Sequence, residues 1–192
     1  SGLGEAAVAP RRALTADAIQ VGGDVRLADG FRAIGEVRFR AARIEGDLRA
    51  SGNFTGSRLR DGGRGSALLL DRVVVGGSVR FDGGFFGAAG GVSLRQARIA
   101  GDLDATGASF DRLGDASLNG DAVLVLDRAR IDGSLILCEL QTPLLGASLV
   151  RARVGTLVDD PTSWGERLAL DGFEYSRLGD ESPLDTVFRT DW

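Results

Sequence analysis

The sequence predicts an all-β fold, a single-stranded parallel β-helix (β-solenoid) of about seven coils of about 23 residues, two of them longer. Three observations predict it. A glycine-containing motif recurs along the chain, apolar and polar residues alternate around each copy, and residues 13–158 contain no extended helical pattern of apolar residues. Because connections between parallel strands are almost always right-handed, we expect a right-handed coil.

The recurring motif has the form I/V-x-G-D/S-L/V, and its glycine aligns the copies. Five copies are clear, at Gly23, Gly46, Gly77, Gly101 and Gly133. Successive glycines are 23, 31, 24 and 32 residues apart, whereas every second copy lies 54 to 56 residues away. The unit is therefore a pair of coils, one short and one with about eight extra residues. A leucine-rich repeat has a similar period, but its asparagine-containing signature is absent.

A sixth, looser copy of the motif surrounds Gly155 and is one residue short. Within the second copy, Ile44, Leu48 and Ala50 share one parity, and charged residues occupy the other. This alternation is typical of strands with one buried and one solvated face. Stacking the copies predicts two inward columns, Val25, Leu48, Val79, Leu103, Leu135 and Leu27, Ala50, Phe81, Ala105, Leu137. We expect the motif glycines to be structural corners, where a Cβ would be crowded.

The repeat divides the chain into three parts. We expect the solenoid over residues 13–158 and an N-terminal cap, or an artificial leader, over residues 1–12. Residues 159–192 break the repeat and hold both tryptophans and the only tyrosine. Because an open solenoid end exposes a sheet edge and core residues, this segment is predicted to be a C-terminal cap. Alternatively, its aromatic side chains form a docking surface: Trp164, Phe173 and Tyr175.

Composition excludes several kinds of active site. The chain has no His, all 23 basic residues are Arg, and Cys138 is the only Cys. The commonest general base, the commonest metal ligand and the P-loop lysine are therefore missing, and no disulfide can form within the chain. We expect no cofactor, no metal and no catalytic residue. A net charge of −4 with scattered arginines argues against nucleic acid as a partner, and no apolar run reaches the length of a transmembrane segment.

Two outward rows of polar residues are candidate sites. The row that follows the motif glycine reads Asp24, Asp47, Ser78, Asp102, Ser134 and Thr156. Carboxylates could bind Ca²⁺ or cleave glycans, but the exchange of Asp for Ser and Thr favours hydrogen bonds to backbone N–H groups. The other row contains Arg43, Arg98, Arg130 and Arg153. We expect these arginines to pair with Asp47, Asp102 or Asp132 rather than to bind an anion.

The longer coils carry two polar, glycine-rich insertions that are candidate interaction loops. They lie one double repeat apart, so we expect them on the same side of the solenoid, where functional residues of solenoids often occur. Their polar residues are Arg58, Arg60, Asp61, Arg64, Asp111, Arg112, Asp115, Asn119 and Asp121.

The motif and the closing segment, L-A-L-D-G-F-E-Y-S-R-L-G-D at 168–180, carry a family resemblance. Over residues 14–180 the chain resembles actinobacterial β-solenoid proteins often labelled "membrane-associated oxidoreductase". The repeats alone also resemble bactofilins and pentapeptide-repeat proteins. The resemblance implies a bacterial solenoid protein and its label implies redox chemistry, but no catalytic residue is carried over.

These observations favour a non-catalytic β-helix scaffold or protein-interaction module, a fragment of a longer protein that binds a protein partner or itself. We expect a cytoplasmic location, with any membrane association made by other parts of that protein. One alternative is a carbohydrate-binding or carbohydrate-processing β-helix that uses the outward Asp residues and the insertion loops. Another is an acidic mimic of nucleic acid, which the 23 arginines disfavour.

Overall fold

The fold comes from a computed structural model, which describes residues 12–56, 66–82, 91–110, 122–180 and 182. Within these ranges the chain is all-β apart from a single 3₁₀ turn, Pro161–Ser163. The strands, most of them two residues long, are β1 (Arg12–Thr15), β2 (Gln20–Val21), β3 (Val25–Arg26), β4 (Arg32–Ile34), β5 (Glu36–Arg38), β6 (Arg43–Ile44), β7 (Leu48–Arg49), β8 (Asn53–Thr55), β9 (Leu68–Leu69), β10 (Val74–Val75), β11 (Val79–Arg80), β12 (Val92–Ser93), β13 (Arg98–Ile99), β14 (Leu103–Asp104), β15 (Leu124–Val125), β16 (Arg130–Leu137), β17 (Ala147–Ser148), β18 (Arg153–Asp159), β19 (Leu168–Ala169) and β20 (Glu174–Leu178).

Parallel pairing stacks these strands into a solenoid. The first sheet has seven strands in the order β1-β5-β9-β12-β15-β17-β19, and each of them begins one coil. The second sheet has eleven strands and carries the motif, with two short strands per coil at first and a single continuous strand in β16 and β18. A third, two-stranded sheet joins β4 to β8. The predicted parallel β-solenoid is therefore confirmed, with about six complete turns.

The inward columns have the register expected from the sequence. Val79 pairs with Leu48 on one side and with Leu103 on the other, and all three side chains are fully buried. In the other column, Phe81 is also fully buried and lies between the small residues Ala50 and Ala105. Large and small side chains thus alternate along the column, which fills a narrow core without voids.

The coil turns from the first sheet to the second at a residue with positive φ. In the third coil, the N–H of Val73 donates to the carbonyl of Leu70 at 3.0 Å, and Arg72 between them has φ of 60°. A positive φ at the third position is the signature of a type II turn, which favours glycine. The equivalent residues are Ala18, Ala41, Arg72, Gln96, Arg128, Arg151 and Gly172. Residue type does not predict this corner, because six of the seven residues are not glycine.

Glycine at one of these turns is expected to stabilise the fold. The left-handed conformation costs an L-residue about 1–2 kcal/mol, and the greater unfolded-state freedom of glycine offsets about 0.5–1 kcal/mol of that. Gln96→Gly should therefore raise the free energy of unfolding by up to about 1 kcal/mol. Gln96→Val should lower it, since a β-branched residue tolerates positive φ poorly. Urea unfolding of both variants checks this, and equal effects would contradict the turn assignment.

The strand ladder extends past the boundary predicted at residue 158. Leu168 and Ala169 continue the first sheet, and Glu174–Leu178 continues the second by pairing with β18. Residues 159–178 therefore contribute a seventh rung inside the segment that the sequence predicts to be a cap. The repeat could not be recognised here because Ser176 and Arg177 occupy the positions of Gly155 and Thr156 in the sixth copy.

Candidate functional site

The outward row after the motif glycine is a series of hydrogen bonds from one coil to the next. Asp24 Oδ1 accepts the N–H of Asp47 at 2.9 Å, and Asp47 Oδ1 accepts the N–H of Ser78 at 2.8 Å. Ser78 Oγ then accepts the N–H of Asp102 at 3.0 Å, and Asp102 Oδ1 accepts the N–H of Ser134 at 2.7 Å. Carboxylate and hydroxyl are interchangeable here because both have an oxygen that accepts one N–H.

The motif glycines make room for these oxygens. A Cβ at Gly77 would overlap Oδ1 of Asp47 and would lie 3.0 Å from the carbonyl carbon of Gly46. A Cβ at Gly23, in the first coil, would meet nothing within 4 Å. The atoms that would crowd a Cβ at Gly77 therefore belong to the preceding coil. They do not belong to the core, as the predicted structural corner requires.

A second row of carboxylates follows the first sheet, and the sequence analysis did not identify it. Asp71 accepts the hydroxyl of Ser93 and, at 3.1 Å, the N–H of Arg95 in the next coil. The row is formed by Asp17, Asp71 and Asp127. These residues are 54 and 56 residues apart, which is the double-repeat spacing and was the signal that could have revealed them.

The predicted arginine row is stacked as expected, although its ion pairs only partly match the prediction. Arg98 pairs in the sheet with Arg130, and Arg130 with Arg153. Arg130 Nε lies 2.7 Å from Asp132, one of the partners expected. Asp47 instead lies 4.0 Å from Arg80. Since these side chains are about half exposed or more, such pairs contribute little to stability.

The two candidate interaction loops cannot be placed in this arrangement. All nine of their predicted residues fall within 57–65 and 111–121, outside the described residues.

The three aromatic residues proposed for a docking surface have different surroundings. Trp164 donates its indole N–H at 2.7 Å to Asp159, a fully buried carboxylate at the end of β18. Phe173 and Tyr175 lie side by side, with ring centroids 6.0 Å apart. Tyr175 occupies the same inward column as Val154 but is 41% exposed, because it lies in the last rung. The structure therefore groups Phe173 with Tyr175, and it places Trp164 against Asp159.

Two carboxyl groups have shifted pKa values, each with a structural cause. Burial raises the pKa of Glu36 and outweighs the attraction of Arg38, whose Nε lies 3.6 Å away. Burial also acts to raise the pKa of Asp160, but hydrogen bonds from Thr162, Glu139 and Ser163 lower it. Asp160 caps the 3₁₀ turn with these bonds.

Glu36→Gln is expected to stabilise the fold at neutral pH. The folded-state pKa of Glu36 is raised above the reference value of 4.5, so its charged form is less favourable in the folded protein than in the unfolded one. The loss of stability caused by the charged Glu36 is complete above the folded pKa and disappears as the pH falls below the unfolded pKa. At pH 7 the variant should therefore have a higher free energy of unfolding than the wild type. Near pH 3 the two free energies should be equal. A lower stability of Glu36→Gln at pH 7 would contradict this.

A groove of about 390 Å³ lies on the outer face of the first sheet, and both polar and apolar groups line it. Val125, Ser148 and Ala169, which are successive partners in the sheet, form its floor, and Leu145 beside them is 53% exposed. Charged side chains border the groove: Arg95, Asp127, Glu166 and Arg167. Exposed apolar side chains next to charged ones are also found in protein–protein interfaces.

Within the described ranges, no cluster of three or more His, Cys, Asp or Glu side chains has the proximity needed to hold a metal ion. The same part of the chain contains no helix long and apolar enough to cross a membrane. Comparisons of the sequence and structure with models of known families, with curated proteins and with solved structures give no significant match.

Proposed function

We propose that this chain is a non-catalytic β-solenoid scaffold that binds a protein partner. The observation that carries the proposal is the use of its outward carboxylates. Asp24, Asp47 and Asp102 each accept a backbone N–H of the next coil. Each of these carboxylates uses its Oδ1 for a contact that holds two coils together, which supports a structural role for the row. We therefore infer that the repeating polar rows serve the fold and that a partner binds outside them.

The groove around Leu145 is the surface on which we expect the partner to bind. Leu145 is exposed beside the buried Val125, and Glu166 and Arg167 offer charges of both signs at the rim. A partner would remove Leu145 from water and would satisfy the rim charges with its own side chains. Fully burying one leucine is worth about 1.5–3 kcal/mol, enough for a single substitution to be decisive.

Quantitative affinity capture with matched variants tests this function. Immobilised wild-type protein, Leu145→Arg and Ile34→Arg would be exposed to lysate of the source organism. Ile34 is a suitable control because it is 62% exposed and lies in β4, away from the groove. We expect proteins that are retained by the wild type and by Ile34→Arg to be lost from Leu145→Arg. Retention that is equal for all three baits, or absent, would contradict the proposal.

The carbohydrate alternative is tested with Asp102→Asn. The amide oxygen of Asn can still accept the N–H of Ser134, so the coil contact survives while the charge is lost. Glycan binding by the wild type that disappears in this variant would favour the carbohydrate alternative over the scaffold.

A further inference from the structure

We propose that the segment bound in the groove around Leu145 is an amphipathic α-helix of the partner, lying across the strands and parallel to the solenoid axis. This inference rests on the proposed scaffold function, because it names the structural class of the partner at that same groove. The shape of the groove, the hydrogen bonds of its floor and the charges at its rim support it.

The groove runs across the strands and is wide enough for a helix. Its floor contains Val125, Ser148 and Ala169, which follow each other along the axis at about 4.8 Å. One wall is formed at Ala122 and the other at Asp127, five residues further along the chain and no more than about 17 Å away. An α-helix with its side chains is about 10–12 Å across, so it fits between these walls.

The side chains of the floor leave room for a helix to approach. Ser148 and Ala169 have short side chains, and Gly146 beside them has none. Val125 is only 7% exposed and adds little to the relief of the floor. Leu145 is 53% exposed at the wall, so the apolar face of a bound helix would cover this leucine and the floor together.

The floor offers no backbone partner to a bound strand. β17 pairs with β15 on one side and with β19 on the other, and the N–H of Ala147 donates to the carbonyl of Arg167 at 2.9 Å. Strand addition needs the free edge of a sheet, whereas the groove lies on a face. A segment bound there gains no backbone hydrogen bonds from the floor, and an α-helix pairs its N–H and C=O groups within itself.

Two other modes of peptide recognition do not fit the lining of the groove. Polyproline segments bind in grooves lined by aromatic side chains, and the described residues that line this groove include none. Phosphorylated segments bind to clusters of arginines. Arg95 is already engaged, since its Nε lies 3.6 Å from Asp127 and its Nη1 donates to Ser93 at 3.3 Å, which leaves Arg167 alone. Binding of a helix in the groove is the mode that remains.

The rim charges predict the polar residues of the helix. Glu166 and Arg167 are exposed, and neither has an ion-pair partner within the described ranges. Asp127, on the opposite wall, is paired with Arg95 and accepts the hydroxyl of Ser148. We therefore expect the apolar face of the helix to be flanked by a basic residue that faces Glu166 and an acidic residue that faces Arg167.

Selection from a peptide library tests this class of partner with the full 192-residue chain. Random peptides of about 14 residues, about 21 Å long as a helix, would be displayed on phage and selected in the presence of excess soluble Leu145→Arg. Peptides that survive this competition should bind the wild type and Ile34→Arg about 10-fold or more tightly than Leu145→Arg. Their apolar residues should recur at i, i+3 or i+4, and i+7. A period of two, or no peptide that depends on Leu145, would overturn the proposal.

Proline substitutions in a selected peptide test whether it binds as a helix. Proline at a central position should weaken binding by about 100-fold, because it costs about 3 kcal/mol in a helix interior. Proline at the first helical position should be tolerated, which provides the matched control. Equal effects at the two positions would overturn the helix.

Photo-cross-linking measures the spacing of the bound residues directly. A benzophenone amino acid would replace Ala122 or Glu166, which occupy equivalent positions two coils apart, about 10 Å along the axis. This distance corresponds to about six or seven residues of a helix but to about three residues of an extended chain. We expect the labelled positions of the peptide to be six or seven residues apart, and a separation of three would overturn the proposal.

Charge reversal tests the rim. Glu166→Arg should weaken a selected peptide by up to about 5-fold, and changing the facing basic residue of the peptide to Glu should restore the affinity. A peptide change that fails to restore it would contradict the predicted charge pattern.

The inference and the scaffold function can fail separately. Equal capture of lysate proteins by the wild type and Leu145→Arg would overturn the function of the groove and this inference with it. Capture that depends on Leu145, together with selected peptides that bind in an extended form, would overturn the helix alone.

Discussion

Gly77→Ala is expected to lower the free energy of unfolding by about 2–4 kcal/mol, whereas Gly23→Ala should change it by less than about 0.5 kcal/mol. The added Cβ at Gly77 would collide with Oδ1 of Asp47, which accepts the N–H of Ser78 at 2.8 Å. Rotating the carboxylate away would relieve that collision but would leave the partly buried N–H of Ser78 without its acceptor. The carbonyl carbon of Gly46, 3.0 Å from the new Cβ, cannot move without shifting the coil.

Urea unfolding of both variants measures the difference, and a double mutant locates its cause. Asp47→Ala removes the oxygen with which the Cβ would collide, at the cost of one hydrogen bond worth about 0.5–1.5 kcal/mol. Asp47→Ala combined with Gly77→Ala should therefore cost less than the sum of the two single changes. Equal losses at Gly23 and Gly77 would show that the glycines serve the backbone conformation and not the carboxylates.

Phe81→Ala is expected to cost about 3–5 kcal/mol, the usual range for removing a buried phenylalanine. Phe81 is fully buried, and its ring packs edge-on against Phe110 at a centroid distance of 6.1 Å. Its neighbours along the column, Ala50 and Ala105, have only methyl side chains and cannot fill the cavity.

The matched controls for this substitution are an exposed residue and a rescue. Ile34→Ala removes a side chain that is 62% exposed and should cost less than about 1 kcal/mol. Phe81→Leu should recover much of the loss, since leucine occupies the equivalent position at Leu137. If thermal unfolding placed Phe81→Ala within about 1 kcal/mol of the wild type, the packing described for this column would be wrong.

The stacking of coils could be predicted because the spacing of one motif determines which residues of successive coils lie next to each other. Once Gly46 and Gly77 are aligned, parity alone places Leu48 next to Val79 and Asp47 next to Ser78, and both pairs are neighbours in the structure. A parallel solenoid is unusually favourable for such inference, because adjacent coils repeat the same register.

Corners and the last rung were harder to predict for physical reasons. The turn at Arg72 has no glycine, and its positive φ is imposed by the sheets on either side, so residue type carries little signal. The seventh rung, around Tyr175, has Ser176 and Arg177 in the positions of Gly155 and Thr156, so it lacks the motif glycine. Without that glycine, the aromatic residues of this rung favour a cap when only the sequence is considered.

The surroundings of the candidate site residues could not be predicted from the sequence either. The bond between Trp164 and Asp159 makes the tryptophan part of the fold, and nothing in its local sequence distinguishes this from an exposed docking residue. The groove at Leu145 depends on side chains from the fourth to the seventh coil, and only the folded register brings them together.

The central claim of this account is that, at the four successive junctions from Asp24 to Ser134, a side-chain oxygen of one coil holds a backbone N–H of the next. Residue-resolved amide hydrogen exchange tests it most directly. The amides of Ser78 and Ser134 should be protected, whereas the amide of Asp24, in the first coil, should exchange quickly. Asp47→Ala should reduce protection at Ser78 far more than at Ser134, whose acceptor is Asp102. An amide at Ser78 that exchanges as fast as that of Asp24, or that is unaffected by Asp47→Ala, would contradict the claim.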